Sequence, residues 1–90
     1  MEFDWTRSRF DEELLTEKQI EEAFEDPFNL RLLPDDYPEA HYVLLGRSLD
    51  LKPVFTIFRT DGRRNRVIFA RPMTEDESTF YDRKNAEQLS

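Results

Sequence analysis

The plainest periodicity along the chain is helical. In residues 16–26, TEKQIEEAFED, the apolar side chains Ile20, Ala23 and Phe24 recur at i, i+3 and i+4, while Glu21, Glu22 and Glu25 take the opposite face. Thr16 and Gln19 have the spacing of a capping box, and Leu15 with Ile20 has that of a hydrophobic staple. Pro27 ends the pattern, because a residue preceding proline is pushed away from helical angles. An earlier and shorter helix is predicted by Thr6 as N-cap, Trp5 and Phe10 as a staple, and Phe10 and Leu14 on one face. A third helix is predicted after Pro72, where Thr74 and Glu77 form another capping pair. Glu75, Asp76 and Glu77 there complement the helix dipole, and Phe80, Tyr81 and Leu89 follow.

Between these helices the period changes to two. FNLRLL alternates Phe28, Leu30 and Leu32 against Asn29 and Arg31, and HYVLLGRS, PVFTIFRT and RVIFAR are further β-rich runs. PDDYPEA reads as a loop, and Asp61-Gly62 as a turn between the last two strands, within a connection longer than two residues. Phe3 and Trp5 alternate as a short N-terminal edge strand would. The expected architecture is one α+β domain over residues 1–90. It has a four-stranded antiparallel meander, a short N-terminal strand as an optional fifth, and two N-terminal helices and one C-terminal helix packed on one sheet face.

Charge changes the picture more than composition does. The chain is 90 residues long with a formal net charge of −7, but the charge is unevenly spread. Residues 1–39 hold thirteen acids and four bases, residues 40–74 two acids and seven bases, and residues 75–90 five acids and two bases. Arg59, Arg63, Arg64, Arg66 and Arg71 lie within one turn and strand that contain a single acid, Asp61. A two-faced electrostatic surface is expected, unless the two segments neutralise one another in the fold. There is no cysteine, hence no disulfide and no thiolate site. Without a run of about 18 apolar residues or a basic-then-apolar leader, a soluble cytoplasmic protein with no membrane association is expected. No carboxylate cluster has metal-ligand spacing and no glycine-rich phosphate loop is present, so neither a metal nor another cofactor is expected.

The layout resembles that of the BrnT toxins, a ribonuclease family with a RelE-like fold. The matching pieces are EFDWTRSRFDE at the start, IEEAFEDPF in the helix, HYVLLGRS in the middle and RVIFARPMTEDESTFY at the end, in that order. The resemblance implies the toxin of a type II toxin–antitoxin pair that cleaves RNA without a metal. It also implies a BrnA-like ribbon-helix-helix antitoxin as partner, with operator DNA reached only through that antitoxin; a homodimer is left open. The residues LLTEKQI stand where the family carries a Lys-His-Gly stretch, which motivates the alternative of a protein-binding module that docks such a partner without cleaving RNA.

Metal-free RNA cleavage needs a base for the 2′-hydroxyl proton, an acid for the departing 5′-oxygen and cations around the phosphate. The resemblance carries a strand-end arginine onto Arg71, which strict alternation would place on one face with Val67 and Phe69. A salt bridge from Arg71 to Glu75 or Glu77 is the alternative. Glu39 and His41 are two apart and project to one side if both are extended, supplying base and acid; a surface histidine beside Tyr42 is the plainer reading. Arg59, Arg63, Arg64 and Arg66 would form an RNA-tracking rim or a solvated hairpin tip. Arg7 and Arg9 would extend a basic cleft or pair with Asp11 and Glu13. Tyr81 would stack a base, or else pack the last helix.

Overall fold

The computed structural model describes residues 1–33 and 41–89. The elements run β1 (Glu2–Asp4), α1 (Glu17–Glu25), β2 (Leu30–Leu32), β3 (Tyr42–Arg47), β4 (Pro53–Thr60), β5 (Arg64–Pro72) and α2 (Glu75–Leu89). They form an α+β fold around a five-stranded sheet ordered β1-β5-β4-β3-β2. The sheet is mixed: β2 to β5 form the expected antiparallel meander, but β1 lies parallel to β5. The loop PDDYPEA lies outside the described residues.

Both helix starts that carry capping pairs are made as their sequences require. At α1, the Gln19 backbone N–H donates to Thr16 Oγ1 at 3.1 Å and the Thr16 N–H to Gln19 Oε1 at 3.0 Å. At α2, the Glu77 N–H donates to Thr74 Oγ1 at 3.2 Å and the Thr74 N–H to Glu77 Oε1 at 2.8 Å. Each box satisfies two donors that a helix start otherwise leaves open.

The predicted first helix is absent, so the described residues form two helices where the sequence suggested three. Thr6 caps nothing; its N–H donates to Asp4 Oδ1 at 2.9 Å in a local turn. The chain then passes alongside β5, where the Arg9 N–H donates to the Ile68 carbonyl and the Ala70 N–H to the Arg9 carbonyl, both at 3.0 Å. The outer edge of β5 needs partners for its backbone groups. That long-range pairing outcompetes one turn of helix with a weak pattern. The staple residues do meet, Trp5 and Phe10 lying 5.7 Å apart, but a turn brings them together.

The helices also occupy opposite faces instead of one. Ile20, Ala23 and Phe24 of α1 join Leu15, Leu44, Val54, Phe58, Val67 and Ala70 in one core, against which Phe3, Trp5, Phe10 and Tyr42 pack. Phe24 lies 5.0 Å from Phe3 and 4.8 Å from Phe58, both edge-on. On the other face Tyr81 and Phe80 of α2 pack with Met73, Val43, Leu45, Leu30, Phe55 and Ile57. Among the described residues no helix is long and apolar enough to cross a membrane.

Helix α1 lies close against β3 at Gly46. A Cβ there would sit 2.5 Å from the Ala23 carbonyl oxygen. Gly46→Ala must therefore push α1 off β3, and a destabilisation of about 2 kcal/mol is expected for such overpacking. Urea unfolding followed by circular dichroism measures it; an unchanged midpoint would show that α1 does not rest on this strand.

Candidate nucleic-acid interface

Alternation along β4 and β5 is broken once. Ile57 pairs with Phe69 but Phe58 pairs with Val67, so Ile68 is an extra residue on β5. Such a bulge inverts the faces on its two sides. Val67 points with Phe58 into the α1 core, while Arg66 opposes Arg59 on the other face. Beyond the bulge Phe69 and Arg71, opposite Ile57 and Phe55, also lie on that other face. Arg71 thus shares a face with Phe69 but not with Val67, which corrects the reading from strict alternation.

Arg59 and Arg66 stand as direct cross-strand neighbours, and Asp4 of β1 pairs with Arg66 on its other side. Like charges directly opposite one another are unfavourable, and an anion between the two guanidinium groups relieves that repulsion. The pair separates two clefts. One, of about 350 Å³, is lined by Asp4, Arg59, Thr60, Asp61, Arg64 and Arg66 and so mixes both signs. The other, of about 250 Å³, is lined by Thr6, Arg7, His41, Arg59, Arg66 and Ile68. It has no carboxylate among its described lining residues and is the better seat for an anion.

Four separate segments build the second cleft. His41 immediately precedes β3 and, by continuation of the Tyr42–Phe58 register, falls beside Arg59. Arg7 enters from the turn after β1, with a φ of 61°. A left-handed conformation costs an ordinary L-residue about 1–2 kcal/mol. The turn is pinned around Arg7: the Thr6 N–H donates to Asp4, the Ser8 N–H to the Trp5 carbonyl at 3.1 Å, and the Ser8 hydroxyl to the Val67 carbonyl. Asp4 is held below the usual aspartate range, first by its hydrogen bonds from Thr6 and further by the charges of Arg66 and Arg64.

The other proposed site residues fall elsewhere. Arg63 and Arg64 sit at the hairpin tip, where both backbone N–H groups donate to Asp61 Oδ1 at 2.9 and 2.8 Å. Those bonds hold the Asp61 carboxyl below its usual range, and Gly62, at φ 92°, supplies the left-handed turn position. Arg64 also lies 3.8 Å from a Glu2 oxygen. Arg71 is bound through both terminal nitrogens to Glu77, at 2.7 and 2.8 Å, and its guanidinium lies 4.0 Å from the centre of the Phe55 ring. Tyr81 is buried, only 4% exposed, and its hydroxyl donates to Asp26 Oδ2 at 2.5 Å. Burial, then the hydrogen bond and charge of Asp26, push the phenol above its usual range, so Tyr81 packs α2 and presents no face for a base. Glu39 lies outside the described residues. Arg7, given less weight in the sequence, reaches the cleft, as do Thr6 and Ile68, which the sequence did not single out for the site; the turn and bulge that place them leave no periodic signal.

Among the described residues, no group of three or more histidine or carboxylate side chains is placed to hold a metal. Comparison with protein-family models, curated proteins and solved structures finds no match to this chain.

The Arg71–Glu77 pair has a pH signature. The Glu77 carboxyl is held below the usual glutamate range, chiefly by the Arg71 hydrogen bonds and also by the Thr74 N–H. A lowered folded-state pKa contributes stability that is present above the unfolded value, about 4.3, and is lost as the pH falls through the lower folded value. Glu77→Gln is expected to cost about 1 kcal/mol at pH 7, the pair being partly open to water. The gap to wild type should close as the pH is taken below about 4.3. Urea unfolding across that range measures it, and a gap that persists undiminished in acid would mean the ion pair is not its source.

Proposed function

We propose that this chain is a BrnT-like toxin with a RelE-like fold, cleaving RNA in the cleft between His41, Arg7, Arg59 and Arg66. The observation that carries the reading is the composition of that cleft: three arginines and one histidine from four segments, with no described carboxylate among its lining residues. The arginine forks suit phosphate oxygens and the charge that gathers on them in the transition state. His41 takes the proton of the 2′-hydroxyl. The 2′-oxygen bonds to phosphorus, the bond from phosphorus to the 5′-oxygen breaks, and that oxygen takes a proton from solvent. A 2′,3′-cyclic phosphate and a 5′-hydroxyl result. Arg71 is then a structural anchor for α2 rather than the phosphate ligand. A BrnA-like ribbon-helix-helix antitoxin would neutralise the toxin and carry any contact with operator DNA.

A second reading is a module that docks such a partner through the same basic surface without cleaving RNA. The observation favouring it is Arg71, the strand-end arginine that the resemblance makes central, which is committed to Glu77.

Cleavage of a mixed RNA in EDTA by purified wild type, Arg66→Ala and His41→Ala separates the two, with folding checked by circular dichroism. Arg66→Ala should lose at least about tenfold, or 1.4 kcal/mol of transition-state stabilisation, and His41→Ala about a hundredfold or more. Folded wild type that leaves RNA intact across a pH series would overturn the enzyme in favour of the docking module.

A further inference from the structure

We infer that Phe69 is a nucleobase-stacking subsite beside the phosphate cleft, which makes the substrate a single strand whose bases are free to leave their stack; the inference rests on the RNA reading of that cleft. Phe69 is a half-buried aromatic on the α2 face of the sheet, opposite Ile57. The α1 core takes Val67 and Ala70 from β5, and the α2 core takes Phe55 and Ile57 from β4. The Phe69 ring touches Phe55 edge-on at 6.5 Å.

Besides Ile57 and Phe55 on β4, arginines flank it. Arg66 precedes it on the same face across the bulge, and Arg71, its guanidinium bound to Glu77, follows it. Arg9 is its bridge partner on the outer side, on backbone hydrogen bonds of 3.0 Å to either side of Phe69. Measured along β4, the row of Phe69 is two residues, about 7 Å, from the row of Arg59 and Arg66. An aromatic face set among arginines on a sheet is how proteins hold single strands: cations track phosphates and the ring takes a base of any sequence. Duplex RNA cannot use such a ring, because its bases are already stacked and its readable groove is shallow.

The test uses fluorescence anisotropy with two labelled eight-nucleotide probes on a 2′-deoxy backbone, which lacks the nucleophile and stays intact. One is oligo(A) and the other is the same backbone without bases. Wild type should bind oligo(A) more tightly than the abasic probe. Phe69→Leu, which keeps an apolar side chain of similar reach, should weaken oligo(A) by about five- to hundredfold, the range one stacked base contributes. It should change the abasic probe less than twofold, and Phe69→Trp should restore or tighten oligo(A). If wild type binds both probes and Phe69→Leu leaves oligo(A) unaffected or weakens both alike, the base subsite fails while the phosphate cleft stands. If folded wild type binds neither probe, the cleft and the subsite fail together.

Discussion

The β4–β5 ladder holds one more residue on β5 than on β4, and Ile68, the surplus residue, sorts the two faces of the sheet. Without it, Val67, Phe69 and Arg71 would lie on one side, and either an arginine would enter the core or two large apolar groups would leave it. With it, Val67 seals the core under α1 while Arg66, Phe69 and Arg71 share the opposite face. A bulge adds local twist and leaves its extra residue outside the pairing, where it can form a wall. Ile68 is such a wall, lining the cleft beside His41 and Arg59. Core and cleft are two results of one register shift.

The N-terminal segment completes the arrangement from the other side of β5. It pairs at Phe3, turns out at Thr6 and Arg7, and pairs again at Arg9. The turn is where the parallel pairing lapses, opposite the bulged stretch of β5, and it brings Arg7 into the cleft in a conformation that an arginine adopts only at a cost. Residues held in such conformations by surrounding bonds gather at functional sites, and the bonds of Asp4 and Ser8 do the holding here.

What could be read from the sequence was what depends on local patterns. The capping boxes at Thr16 and Thr74, the stop before Pro27 and the three longer strands all follow from neighbours within a few residues. The early helix failed because its signals are also compatible with a turn, and only the free edge of β5 decides between them. Arg59, Arg66 and His41 were legible as chemistry by residue type and charge, and they do meet. Arg71, the first candidate, instead makes the Glu77 ion pair that was its alternative, and Tyr81 packs the last helix, as its plainer reading had it, with its hydroxyl on Asp26. The difference lies in partners six and 55 positions away. Phe69 was hidden by the bulge, since an alternating pattern gives no sign of where an extra residue sits.

Acidic helices cover both faces of the sheet. The acids of α1 lie on the helix that covers one face, where burial and then the charges of Glu17 and Glu25 raise the pKa of Glu21, and the arginine cleft opens on the other, which α2 with the acids of its first turn also covers. The most direct measurement of the central claim is the chemistry of the products: a short RNA and its counterpart with a single 2′-deoxy substitution at the cut site, incubated with wild type in EDTA. The account predicts a 2′,3′-cyclic phosphate end from the first and an uncut second. No cleavage of either, or equal cleavage of both, would contradict it.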